Sequence, residues 1–221
     1  MSYQVVGYPF CPFVQRVLIA LNEKAVDFES IWLDPHAELP EWFKEWSPLG
    51  KVPVMKVTTG EVLFESMAIV EYIEELHKVP SIYAKLPAKR AIQRAWAGVA
   101  GELYGPQYMS MGAKSHEEVE KHFATMRGTL AVLEERCGRN YFIGETMTAV
   151  DIVLAPMFIR FDALTSIGVE NILADFPKLE ALSNKLLTHH AVLQIIAGDW
   201  TERFIEIQKG RGGILFQNID G

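Results

Sequence analysis

The chain has 221 residues, of which 49% are hydrophobic and 22% charged, enough apolar material to close one large core or two small ones and to exclude a disordered or collagen-like polymer. Its net charge of −7 opposes a phosphate backbone, so no nucleic-acid partner is expected, whereas a small anion held by local backbone dipoles remains possible. Only two cysteines occur, Cys11 and Cys137, with no CxxC pair, which argues against a disulfide framework and for a reducing compartment.

The opening residues lack the basic, apolar and cleavage regions of a signal peptide, and no window approaches the ~20 apolar residues of a membrane helix. A soluble, cytoplasmic protein with no membrane partner is the expectation. Tyr3–Val6 reads as a strand and Cys11–Asn22 as a helix, with Pro12 suited to its first turn and Val14, Val17, Leu18 and Leu21 on one face. Phe28–Trp32 reads as a second strand and Pro40–Trp46 as a short helix. Val54–Val57 and Val62–Phe64 flank a Gly60 turn and predict a hairpin. Ser66–His77 completes the order β-α-β-α-β-β-α, with Ile69, Val70, Ile73 and Leu76 on its apolar face. The strand-helix-strand unit implies a parallel pair and the hairpin adds antiparallel pairing.

The pattern then changes. Residues 1–79 form the first predicted domain, 80–87 a linker, and 88–221 a second, all-helical domain. Its predicted helices are Ala88–Met109, His116–Arg136, Ala149–Thr165, Pro177–Leu187 and Ala191–Ile207. The Gly-rich tail from Gly210 to Gly221 is expected to be loosely ordered. Thr148 and Asp151 have capping-box spacing, with Met147 and Ile152 placed for a hydrophobic staple, so a well-started helix is predicted at Ala149.

Three segments carry chemistry. Cys11, in Tyr8-Pro-Phe-Cys-Pro-Phe-Val-Gln-Arg16, falls at the N-cap between the first strand and the first helix. Unpaired N–H groups and the helix dipole there favour a thiolate, so a lowered pKa and a reactive thiol are expected. Arg16, about one turn on, adds positive potential. The competing reading is a buried structural cysteine. Val14 occupies the position that would make CxxC, so a mixed disulfide at Cys11 needs a second thiol from solution. Cys137, at a predicted helix end, reads as unrelated.

Lys51-Val52-Pro53-Val54 enters the hairpin. A proline entering a strand cannot donate to the ladder. Either a cis Val52–Pro53 bond presents the Val52 backbone to a peptide-like ligand, or Pro53 is an ordinary trans edge proline. Glu65-Ser66 opens the next helix. Ser66 and the adjacent N–H groups suit a carboxylate and Glu65 suits an ammonium group; the alternative is a plain serine cap beside a solvated glutamate.

The three segments, in this order and spacing, resemble the glutathione transferase superfamily along essentially the whole chain. That resemblance implies a thioredoxin-like N-terminal domain followed by an all-helical C-terminal domain, with glutathione as co-substrate, no metal, and a homodimer. The Cys-Pro-Phe-Val-Gln-Arg run and Pro40-Glu-Trp-Phe43 look most like the cysteine-containing omega, plant lambda and related bacterial classes. Carried over, Cys11 holds the glutathione sulfur, Phe13 lines the site, Val52, preceding Pro53 of the same binding segment, pairs with the cysteinyl backbone, and Glu65 and Ser66 bind the γ-glutamyl end. One departure stands out: Leu39 occupies the position where omega-type proteins often have a lysine for the glycyl carboxylate, leaving Lys51 or His36 as substitutes.

The implied function is glutathione-dependent thiol transfer or reduction through a Cys11–glutathione mixed disulfide, acting on a disulfide or small electrophilic substrate. Two alternatives are glutathione conjugation, or ether and halide cleavage, and a non-catalytic protein-binding regulator. Tyr8, Tyr104, Tyr108 and Met111 are the candidate wall of a second-substrate pocket. His116, His122, His189 and His190 show no metal-ligand spacing with nearby carboxylates and read as surface residues.

Overall fold

The computed structural model describes residues 2–217, and the chain divides into two compact units, Met1–Ser81 and Ile82–Gly221.

The first unit follows the predicted order: β1 Tyr3–Gly7, α1 Pro12–Glu23, β2 Phe28–Trp32, α2 Glu41–Trp46, β3 Val54–Lys56, β4 Val62–Phe64 and α3 Ser66–Leu76. The sheet runs β2-β1-β3-β4, with β1 and β2 parallel in the register Val5↔Ser30, and β3 antiparallel to both β1 and β4. This is a thioredoxin-like arrangement. Val5 and Val6 of the inner strand β1 are fully buried. On one side, Val6, Leu33, Phe43 and Val54 form an apolar cluster, with Tyr8, Leu39, Trp46 and Val52 packed around it.

α1 packs against α3. The predicted stripe of α1 is buried, and so are Gln15, Arg16, Ile19 and Ala20 beside it. Ile69, Val70 and Ile73 of α3 are buried as expected, but Leu76 is 56% exposed, because the helix ends there and its last turn leaves the packed face. Gly7 permits the close approach of β1 to α1: a Cβ there would lie 2.3 Å from a Val14 methyl. Lys24, just past α1, has a buried ammonium group that donates to Glu74 at 2.6 Å and to the carbonyls of His77 and Pro80 at 2.6 and 2.7 Å. It thereby ties the end of α1 to the end of α3.

The second unit contains α4 Pro87–Gly101, α5 Tyr104–Gly112, α6 His116–Arg136, α7 Ala149–Ser166, α8 Pro177–Leu187, α9 His190–Leu193 and α10 Trp200–Gly210. α6 and α8 match their predicted bounds. The predicted helix Ala88–Met109 is two helices broken at Glu102–Leu103. Pro106 accounts for the break: in a continuous helix it could not donate to Glu102, and its ring would clash with that carbonyl. The predicted helix Ala191–Ile207 is likewise divided into α9 and α10, with Gly198 at φ 72° in the intervening segment, outside helical space.

α7 is the central helix of this unit, packed against α4, α8 and α10 and buried almost all round. The tail is more ordered than its glycines suggest. Ile214–Phe216 forms a 3₁₀ turn, Phe216 is buried, and the Ile214 N–H donates to the Ala113 carbonyl at 2.8 Å. A Cβ at Gly213 would lie 2.0 Å from the Met111 carbonyl oxygen, so a bare backbone is required there. The last four residues of the predicted loose tail, 218–221, lie outside the described residues. No described helix is long and apolar enough to cross a membrane.

Candidate functional site

Cys11 is the N-cap of α1, in extended conformation at φ −77° and ψ 120°, with Pro12 as the first helical residue. Its N–H donates to the Tyr8 carbonyl at 3.0 Å, and its own carbonyl accepts from the Gln15 N–H at 3.1 Å. The β1–α1 turn therefore fixes the backbone of the thiol-bearing residue from both sides. Cys11 is half-buried, and its sulfur sits where a helix presents N–H groups without intrahelical partners, a setting that stabilises an anion. Cys137 is different. It is buried, and its thiol is pushed up to about 11, first by that burial and then by the negative charges of Glu134 and Asp151.

A cavity of about 260 Å³ opens in the same unit, lined by Phe13, Ser47–Leu49, Lys51, Val52, Pro53, Phe64, Glu65 and Ser66. It gathers all six residues predicted to bind a peptide-like ligand, drawn from α1, the α2–β3 loop and the β4–α3 junction. Cys11 is not itself a lining residue; Phe13, two positions on, is 41% exposed and forms the wall on that side.

The Val52–Pro53 bond is cis, the first of the two readings the sequence allowed. The loop before it is closed by Ser47, whose hydroxyl donates to the Lys51 carbonyl and accepts from the Lys51 N–H, both at 2.8 Å. Gly50, at φ 62°, supplies the left-handed residue this turn needs. Ser47, Pro48 and Leu49 were missed as site residues, although Ser-Pro-x-Gly is a turn pattern that points to a tight loop here.

At the far wall, Glu65 is the N-cap of α3 and Ser66 its first helical residue, one position later than a serine cap would stand. Glu65 holds φ 65° and ψ 110°, a conformation that side-chain-bearing residues rarely adopt. It places an exposed carboxylate beside a buried hydroxyl on one cavity wall. Sequence reasoning gave Arg16 only a general electrostatic role. The structure buries it, with its Nη1 3.4 Å from Ser66 Oγ and its guanidinium 4.8 Å from the Phe13 ring centre.

The two positions considered for the glycyl carboxylate separate. Lys51 lines the cavity, whereas His36 is exposed and outside the lining, in a turn where its N–H donates to Asp34 at 2.8 Å. Leu39 packs with the apolar cluster around Phe43. Of the residues expected to form a second-substrate wall, Tyr8 belongs partly to that same cluster. Tyr104 and Met111 are corrected to core residues of the helical unit. Tyr104 donates its hydroxyl to the Val153 carbonyl at 2.7 Å, and Met111 is buried against Gln107, because both point inward from α5. Tyr108, also in α5, is 59% exposed, with the Arg211 guanidinium 4.1 Å from its ring centre.

Residues 10–76 match the glutathione S-transferase N-terminal domain and residues 117–184 the glutathione S-transferase C-terminal domain. Glutathione S-transferase U28 of Arabidopsis thaliana is 32% identical over 185 residues, spanning 82% of each chain. Glutathione S-transferase omega-1 of Rattus norvegicus is 28% identical over 164 residues, 73% of this chain and 68% of that one. The crystal structure of glutathione transferase Omega 3C from Trametes versicolor superposes with a TM-score of 0.78 at 26% identity, covering 88% of this chain and 89% of that one. With both domains matched and a relative 32% identical over 82% of each chain, the chain belongs to the glutathione S-transferase family.

Proposed function

We propose that the protein is a glutathione-dependent thiol transferase or reductase of cysteine type, working through a Cys11–glutathione mixed disulfide. The observation that carries this reading is the cysteine at the N-cap of α1 in a unit whose cavity gathers Phe13, Lys51, Val52, Pro53, Glu65 and Ser66. The likeness to omega-class proteins supports it.

In the first step the Cys11 thiolate attacks the glutathione sulfur of a glutathionylated substrate. A sulfur–sulfur bond forms to Cys11, the substrate's own disulfide breaks, and the departing substrate thiolate takes a proton from water. In the second step a glutathione thiolate attacks that same glutathione sulfur, releasing oxidised glutathione and restoring the Cys11 thiolate. The substrate sulfur is reduced to a thiol, one glutathione thiol is consumed, and the disulfide passes from the substrate to oxidised glutathione. Val14 denies Cys11 an adjacent resolving thiol, so glutathione itself must supply the second step.

The ligand's glycyl carboxylate is assigned to Lys51, the cation in the cavity lining. Lys51→Ala is expected to weaken glutathione binding by roughly tenfold by titration calorimetry, the usual worth of one charge-assisted contact, with His36→Ala unchanged. The reverse pattern would move the glycyl end to His36. By analogy with the family the working assembly is a homodimer, which analytical ultracentrifugation checks directly.

Mass spectrometry after incubation with oxidised glutathione tests the central claim. One glutathione moiety on the Cys11 peptide, removed by reduced glutathione, is the expected result. An unmodified Cys11 beside active relatives run in parallel would sink it.

A further inference from the structure

We infer that Arg16 is a positioning residue for carboxylate recognition, fixing the direction of the Ser66 hydroxyl so that it donates into the cavity. The inference rests on reading this cavity as the glutathione site, with the γ-glutamyl end at Ser66. Three observations carry it. Arg16 is 6% exposed and lies in α1, one turn beyond the thiol-bearing cap. Its Nη1 is 3.4 Å from Ser66 Oγ, and both groups are buried. Its guanidinium also lies over the ring of Phe13, so one side chain touches two walls of the cavity.

The chemistry follows from the donor inventory. A guanidinium has five N–H donors and no acceptor. In any hydrogen bond between the two groups, Ser66 Oγ therefore accepts. The serine proton must then point elsewhere, and Ser66 lines the cavity. A serine without this neighbour could turn its proton toward its own helix or toward water. With Arg16 in place, the hydroxyl is set as a donor, next to the guanidinium charge and at the N-terminal turn of α3. All three favour an anion. Glu65, exposed on the adjoining wall, opposes a bare anion but suits a ligand that carries an ammonium group next to its carboxylate. The α-amino and α-carboxylate groups of a γ-glutamyl residue are that pair.

The cation–π contact with Phe13 gives Arg16 a second task. The guanidinium, 4.8 Å from the Phe13 ring centre and 3.4 Å from Ser66 Oγ, contacts both the first turn of α1 and the first residue of α3. A lysine would keep the charge but neither the plane nor the fork of donors.

The test is a ligand comparison, because a purely structural role for Arg16 would weaken every ligand alike. Glutathione is compared by titration calorimetry with its analogue lacking the γ-glutamyl α-carboxylate, 4-aminobutyryl-cysteinyl-glycine. The wild type should prefer glutathione by roughly 10–100-fold, the range for charge-assisted contacts. Ser66→Ala and Arg16→Met should each reduce that preference to within about threefold. Arg16→Lys should retain part of it, and Arg16→Gln, whose amide can also accept, should retain less. If Arg16→Met does not fold, the Lys and Gln variants decide the matter through the same ratio. An undiminished preference in the Arg16 variants, with overall affinity lowered for both ligands, overturns the inference and leaves the glutathione reading intact. A wild type that binds neither ligand overturns both.

Discussion

Cys11→Ala is expected to lower thiol transfer to a glutathionylated peptide by more than about a thousandfold in kcat/KM, since the nucleophile is lost outright. Glutathione affinity should change by less than about threefold, because the groups that bind the ligand lie on the cavity wall and not on the thiol. Cys11→Ser sharpens the comparison. A serine hydroxyl is not ionised at neutral pH and cannot form the mixed disulfide, so thiol transfer should be lost in this variant too. The same hydroxyl can donate to the thiolate of bound glutathione, and conjugation to 1-chloro-2,4-dinitrobenzene should be kept or raised. Thiol transfer within tenfold of wild type in Cys11→Ala would exclude the mixed-disulfide mechanism. Conjugation as the main activity of the wild type would favour the transferase alternative, and absence of glutathione binding together with a stable protein partner would favour the regulator. Cys137→Ala is the control: that thiol is buried and pushed up to about 11, so the variant should keep wild-type alkylation and activity.

Asp151→Ala is expected to destabilise the helical unit by about 3 kcal/mol at pH 7, read as a fall of roughly 10 °C in thermal unfolding. The carboxylate closes the capping box of α7. It accepts from the Thr148 N–H at 2.8 Å, the Thr148 hydroxyl at 2.7 Å and the Phe142 N–H at 2.9 Å, all buried. Alanine leaves two buried backbone donors unmatched, at the head of the helix on which α4, α8 and α10 pack. Burial works against the carboxylate and raises it to about 6 despite those donors. The sign of the pH effect follows. A folded-state value above the unfolded one means that the contribution is fully present below the unfolded value of 3.8 and declines as pH rises to about 6. The stability difference between wild type and Asp151→Ala should therefore be largest near pH 4 and level off above pH 6. A difference that grows with pH would show that the three donors outweigh burial.

The elements of the first unit were legible because each is a local pattern. Short apolar runs marked the hairpin strands, Gly60 marked the turn between them, and Pro12 marked the start of α1; in the second unit the Thr148/Asp151 spacing marked the start of α7. The failures were of two kinds. In Ala88–Met109 the apolar period outweighed Pro106, though one missing N–H and a steric clash suffice to end a helix. In the tail, glycine content suggested looseness, whereas Gly213 is present because the chain passes against Met111 too closely for any side chain. A glycine looks the same in both settings until its neighbours are known.

The sequence by itself determined the order of the elements, the cysteine at a helix cap without a resolving partner, and the segments that build the cavity. Each depends on residues within a few positions of one another, where backbone geometry and hydrogen bonding act locally. Only the tertiary structure decided which of two readings held at Val52–Pro53, that Lys51 and not His36 lines the cavity, and that Tyr104 and Met111 belong to a core. It also decided the place of Arg16. On a helix an arginine reads as a solvated charge, and its burial against Ser66 depends on a partner 50 positions away that α3 delivers only once it packs against α1.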